Sequence, residues 1–136
     1  MVGYPFSSAY LVPLVDAVGG QTASPVAVAA AMAFYRAIGK HPIAIRKEVL
    51  GHLAKRLQAA LCREALRLVA EGVASPADVD AVISEGPGMR WPLVGPHITF
   101  HLAGGGGGTD HVMAHLLPAV QRWQADLVKP VLDENL

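Results

Sequence analysis

From about Leu50 onward, apolar residues recur at helical spacing between glycine and proline breaks, which commits most of the chain to α-helix. Leu53, Leu57, Ala60, Leu61, Glu64 and Leu68 fall near one face of a first helix, with Arg56, Arg63 and Arg67 on a wetter one, and Gly72 stops it. Ser75-Pro76 opens a second helix, with Asp78 and Asp80 in its positive first turn. Gly86, Pro87, Gly88, Pro92, Gly95 and Pro96 predict a rigid connection with room for one helical turn. A helix to about Leu102 follows, then a flexible break at glycines 104–108, then a last helix from about Thr109 to Leu127. No internal repeat is visible.

Only the first third reads differently. Residues 1–6 are short, apolar and stopped by Pro5. Residues 10–18 form a nearly unbroken apolar run ended by Gly19 and Gly20, and its length and valines favour a buried strand. Thr22 or Ser24 caps an alanine-rich helix that has Pro25 in its first turn and Gly39 at its close. Residues 41–46 read as a third strand, with Ile43 and Ile45 on one face.

Composition narrows the function. Lys plus Arg number 11 and Asp plus Glu 11, so no basic excess points to nucleic acid. One cysteine excludes an internal disulfide framework and a Cys-rich zinc site, and Cys62 reads as buried and inert. No apolar run reaches the roughly 18 residues of a membrane span, and no signal peptide is visible, so a cytoplasmic protein is expected. Apolar residues make up 52% and charged residues 16%, against about 25% charged in a typical domain. A single small domain hides that much apolar surface poorly, and a homo-oligomeric interface is expected.

Two motifs read as structural. The glycine run follows a helix and has no neighbouring lysine, so it reads as a helix–helix connection and not a phosphate cradle. His97 and His101, like His111 and His115, stand four apart, but no cysteine is near and Asp110 is the only close carboxylate, so no metal is expected and the histidines read as core or interface residues.

Several strings resemble one family in order and spacing. They are residues 10–16 (YLVPLVD), 47–49 (KEV), 56–61 (RLQAAL), 64–72 (EALRLVAEG), 86–91 (GPGMRW), Gly95-Pro96 and 99–105 (TFHLAGG). The chain resembles the C-terminal part of the L-3-hydroxyacyl-CoA dehydrogenases, and within them the branch of carnitine dehydrogenase and the lambda-crystallin/gulonate dehydrogenase proteins. The resemblance covers nearly the whole chain. It implies a homodimer of mainly helical domains that line an acyl-substrate cleft, with a small sheet remnant. It does not imply an NAD site, because the Gly-x-Gly-x-x-Gly turn of a Rossmann domain is absent from these residues.

The resemblance also places altered site residues. The family's catalytic histidine falls on Tyr4, its neighbouring asparagine on Ser7 and its histidine-orienting glutamate on Asp16. The substrate-contacting asparagine falls on Lys55, and His52 takes the preceding aromatic position. A tyrosine with an ordinary pKa of about 10 is a poor base near neutral pH. Lys55 heads an apolar stripe of Ala59, Cys62, Leu66 and Val69, where lost hydration lowers a lysine's pKa and fits it to act as base, nucleophile or oxyanion stabiliser. A structural Asp16–Lys55 ion pair is the alternative, as is a Lys55 that reaches to water along its stem. Arg90 and Trp91 border the cleft by resemblance; Arg90 either binds a substrate carboxylate or caps helix carbonyls.

The expected fold is therefore mainly α: a helical domain of the dehydrogenase C-terminal type with a small N-terminal β remnant, dimeric. Residues 1–136 read as one domain, with a strand–helix–strand part at 1–48 and a helical dimerisation and substrate part at 49–136. The expected function is cofactor-free, non-redox acid–base chemistry (cyclisation, isomerisation, dehydration or hydrolysis) on an acyl or polyketide-like substrate. Tyr4, Asp16, Lys55 and His52 are its catalytic residues, and Ser7, Arg90 and Trp91 bind substrate. Neither cofactor nor metal is expected, nor a nucleic-acid or membrane partner. The alternatives are a non-catalytic acyl-binding or dimerisation module, or the separate half of a split dehydrogenase.

Overall fold

The computed structural model describes residues 1–20 and 22–127; the expected helical part beyond residue 127 lies outside them. The chain falls into two compact units, Met1–Leu61 and Cys62–Leu136.

The first unit is built on a three-stranded sheet in the order β1 (Val2–Pro5), β2 (Leu14–Val18), β3 (His41–Ile45). β1 runs antiparallel to β2, and β2 runs parallel to β3. The parallel pair needs a crossover, and α1 (Pro25–Ala37) supplies it. Ser24 is its cap: the side chain accepts from the Ala27 N–H at 3.1 Å, with Pro25 at the helix start. Gly39 closes α1 in the left-handed region, φ +76, and its N–H donates to the Arg36 carbonyl.

β2 starts four residues later than its apolar run predicts. Leu11 and Val12 donate their N–H groups back to the Ser8 carbonyl at 2.9 Å, and Pro13 has no N–H to give a ladder. The Lys40 ammonium donates to the carbonyls of Ala9 and Val12, which holds residues 9–12 as a turn. Tyr10 and Leu11 are left in water.

Strand register sorts the side chains. Tyr4 pairs with Asp16, and Asp16 with Ile43, so these three share one face of the sheet. Gly3, paired with Ala17, lies on the other. A Cβ on Gly3 would run into the Tyr35 ring of α1, so α1 packs on that face. The central strand β2 is covered on both sides: Val15, Ala17 and Val18 are buried, and so is Asp16 at 4% exposure.

α2 (His52–Ala70) begins in the first unit and continues into the second. The second unit adds α3 (Pro76–Glu85), α4 (Pro96–Ala103) and α5 (Gly108–Asp126). α3 carries a capping box: the Asp78 N–H donates to Ser75 Oγ and the Ser75 N–H donates to the Asp78 carboxylate, each at 3.2 Å. The hydrogen bond from Ser75 holds the Asp78 carboxyl below the ordinary aspartate value. The turn expected between Glu85 and Pro96 is a 3-10 turn at Pro87–Met89.

The glycine run does join two helices, but as a packed corner and not an open break. Gly105–Gly107 form a 3-10 turn and Gly108 starts α5. Gly104 and Gly108 are buried. A Cβ on Gly104 would strike the Gly108 carbonyl, and one on Gly108 would sit 2.9 Å from the His101 ring. Gly108 also holds φ +58. These glycines are required by close approach.

Arg67 corrects the expected helix faces. It stands on the less exposed side of α2, 14% exposed, and binds Glu64 at 2.6 Å, Glu71 at 2.8 Å and Asp126 of α5 at 3.5 Å. The leucines assigned to the apolar face stay partly in water, Leu57 at 70% exposure. Cys62, expected to be buried, is exposed. No residue of α2, α3 or α4 is buried. Their apolar residues sit on surfaces that the described residues do not bury.

The Arg67 hydrogen bond holds the Glu64 carboxyl below the ordinary glutamate value. A depressed carboxyl stabilises the fold above its unfolded-state pKa, and the contribution is lost as pH falls through the lower folded-state value. Acidification from about pH 6 to about pH 3 is therefore expected to lower the melting temperature more steeply in the native chain than in Glu64→Gln. Parallel melting curves would remove Glu64 from the account.

Candidate functional site

Four of the seven expected site residues meet in the first unit. Their geometry starts from α2, which has no capping side chain of its own: it opens at Gly51 and His52, with φ +79 and +53. The cap is brought in from β2. The buried Asp16 carboxylate accepts the Leu53 N–H at 3.2 Å and the Ala54 N–H at 3.5 Å. The first amides of a helix have no partner within it and carry its positive end, so a carboxylate there is held by hydrogen bonds and by the dipole. Asp16 thus ties the sheet to the first turn of α2.

That tie sets His52 and Lys55 over Tyr4, the residue opposite Asp16 on β1. The His52 and Tyr4 rings stack with centroids 5.3 Å apart and planes at 25°. Lys55 Nζ lies 4.4 Å from the centre of the Tyr4 ring, within cation–π range. His52 Nδ1 is out of water and without a hydrogen-bond partner among the described residues.

The roles differ from those expected. Asp16 serves the helix amides, and the Asp16–Lys55 ion pair does not form among the described residues. Lys55 is exposed, as are Ala59 and Cys62 of its stripe, so burial does not strip its ammonium of water. Ser7 is exposed just after β1. Arg90 and Trp91 belong to the second unit, beyond the 3-10 turn; both are exposed, Trp91 at 43%. The Arg90 backbone carbonyl accepts from Leu93 and Val94, and its side chain makes no ion pair among the described residues. The capping role of Asp16 was missed by sequence reasoning. One signal was present: a helix starting at Gly-His, with no Ser, Thr, Asp or Asn before it, needs a cap from elsewhere.

The described residues do not fit an NAD site. The turn that leads from β2 into α1 lacks the glycine spacing, and the Ser24 side chain already occupies the helix N-terminus. The glycine corner before α5 follows a helix and packs on its own backbone. Among the described residues, no group of three or more His, Cys, Asp or Glu could hold a metal ion. His97, His101, His111 and His115 are all exposed in the single chain, so of the core and interface readings the core one does not hold. No helix of the described residues is long and apolar enough to cross a membrane.

Within the first unit, the sheet and the start of α2 thus bring Tyr4, Asp16, His52 and Lys55 into one polar cluster. The chain belongs to the family described as 3-hydroxyacyl-CoA dehydrogenase, C-terminal domain, which it matches over residues 51–135. All 136 residues align with the L-carnitine dehydrogenases of Streptomyces coelicolor, at 48% identity, and Burkholderia mallei, at 46%, covering 43% and 42% of those proteins. The chain thus spans about two fifths of the length of these relatives. Among solved structures, the NAD⁺-dependent 5-formyl-3-hydroxy-2-methylpyridine 4-carboxylic acid 5-dehydrogenase superposes with a TM-score of 0.84 at 26% identity, over 98% of this chain and 40% of that one. The 3-hydroxyacyl-CoA dehydrogenase of Archaeoglobus fulgidus gives 0.74 at 26% identity, over 94% and 43%.

These relatives overturn the expected function. Proteins matched along the full chain are dehydrogenases, so the expectation of a cofactor-independent cyclase, isomerase, dehydratase or hydrolase does not stand. The physical ground for it is gone as well. It required a desolvated Lys55 and an available Asp16, and Lys55 is exposed while Asp16 caps α2. The relatives are enzymes, and the mainly helical fold with its small sheet is as expected.

Proposed function

We propose that the chain is the C-terminal, substrate-side half of an NAD-linked dehydrogenase acting on a small hydroxy acid of the L-carnitine kind. The NAD site would come from polypeptide outside these 136 residues, on the same chain or another. The observation that carries this is identity of 48% across the whole chain to an L-carnitine dehydrogenase of which it covers 43%. The chain would supply the first turn of α2, pinned by Asp16, and the Tyr4–His52–Lys55 cluster as the wall against which substrate is held. Ser7, Arg90 and Trp91 remain substrate-contact candidates by resemblance. The uncovered apolar helices suit a homodimer, and NAD-linked chemistry suits a cytoplasmic setting.

One observation favours the reading as a non-catalytic binding module. Tyr4 is a poor base, and Asp16 holds helix amides instead of orienting a base. A chimera decides between them. The matched C-terminal part of the Streptomyces coelicolor relative is replaced by this chain, and NADH is followed with L-carnitine and other hydroxy acids. The dehydrogenase reading expects NAD-dependent turnover. A folded, NAD-binding chimera that reduces no NAD with any of them returns the chain to the binding module.

A further inference from the structure

His52 carries two local costs. It is the one non-glycine residue among those described with a left-handed backbone, φ +53, a conformation that crowds the Cβ. Its Nδ1 is shielded from water without a partner among the described residues, where most buried polar atoms find one. Both fall on the residue whose imidazole stacks on Tyr4. Lys55, nearly one turn along α2, places its ammonium over the same ring, 4.4 Å from its centre. That ammonium makes no ion pair among the described residues. The nearest candidate by register, Asp16 opposite Tyr4, is engaged by the Leu53 and Ala54 amides. A cation in a helix's first turn also lies at its unfavourable, positive end. Lys55 therefore has an aromatic rest and no counter-charge.

From this cluster we infer that Lys55 binds the carboxylate of a small organic acid, with Tyr4 and His52 beside the bound group. The inference rests on the dehydrogenase reading and names the group on the substrate that this half of the enzyme holds. An ammonium–carboxylate contact is a charge-assisted hydrogen bond, stronger than a neutral one. The contact with Tyr4 holds the long lysine side chain in place beforehand, so less rotamer freedom is lost on binding. A monoanion fits better than a phosphate dianion. One ammonium supplies one charge, and the Asp16 carboxylate on the same sheet face repels a second negative charge.

The test is an NMR titration of the isotope-labelled chain with 3-hydroxybutyrate, its methyl ester and inorganic phosphate. Saturable shifts of the Tyr4 and His52 ring signals are expected with hydroxybutyrate and not with the ester, and phosphate is expected to bind at least tenfold more weakly. Lys55 is exposed, so Lys55→Met should leave the rest of the spectrum in place while weakening hydroxybutyrate at least tenfold. Lys55→Arg should restore most of the loss. The inference is overturned by equal binding of ester and acid, by phosphate matching the carboxylate, by Lys55→Met at native affinity, or by no saturable shift at all. The readout needs neither NAD nor turnover. A chain that binds hydroxybutyrate through Lys55 while the chimera makes no NADH sinks only the dehydrogenase reading; a turning-over chimera indifferent to Lys55→Met sinks only this one.

Discussion

Gly104→Ala is expected to destabilise the second unit by about 3 kcal/mol, while Gly106→Ala two residues away should stay within about 0.5 kcal/mol of the native chain. A Cβ at Gly104 collides with the Gly108 carbonyl, which is backbone and cannot swing aside as a side chain would. Relief requires opening the corner between α4 and α5. At Gly106 a Cβ meets nothing within 4 Å. Urea denaturation followed by helical circular dichroism distinguishes the two. Equal midpoints for both variants would mean that the corner is the loose linker its composition suggests.

Asp16→Ala should cost about 2–3 kcal/mol in the first unit, from the lost cap and two helix amides left without their acceptor. The carboxylate is buried and accepts from Leu53 and Ala54. Amide hydrogen exchange is expected to accelerate at those two residues first. Asp16→Asn keeps an acceptor oxygen and should recover most of the loss, short of the dipole contribution of about 0.3–1 kcal/mol. Because Asp16 ties α2 to the sheet, Asp16→Ala should also disturb the stacking of His52 on Tyr4, visible in their ring signals. Unchanged exchange at Leu53 and Ala54 would show that α2 does not depend on the imported cap.

Most elements were legible because their punctuation is local. Ser24-Pro25 and Ser75-Pro76 announce helix starts, Gly39 and Gly72 announce ends, and the structure places α1 and α3 accordingly. What local patterns hid depends on contacts across the chain. Residues 10–13 look like the first part of a strand, but Lys40, about thirty residues on, holds their carbonyls in a turn. Arg67 looks like a solvated charge until Asp126, 59 residues away, meets it. Asp16 looks like a catalytic or ion-paired carboxylate, yet the amides that engage it are 37 and 38 residues downstream. The glycine corner shows a further limit. Composition alone does not separate glycines that are needed for close approach from glycines that are loose.

The site was legible as a set of residues and not as a set of roles. Tyr4, Asp16, His52 and Lys55 do cluster, through one strand register and one helix start. Reactivity was inferred from an apolar stripe, and exposure at Lys55 removes that inference. The expectation of cofactor-free chemistry, drawn in part from the missing NAD turn, does not stand beside full-chain matches to dehydrogenases, of whose length the chain covers about two fifths.

The proposed dehydrogenase reading puts Tyr4, by resemblance, at the position of the family's catalytic histidine. It is tested most directly by NADH formation from L-carnitine in the chimera with the Streptomyces coelicolor NAD-binding portion, with and without Tyr4→His. The expected result is slow turnover that rises about a hundredfold with the histidine, the lower range for a positioned general base. A folded, NAD-binding Tyr4→His chimera that turns over no faster than its parent, or not at all, would contradict the account.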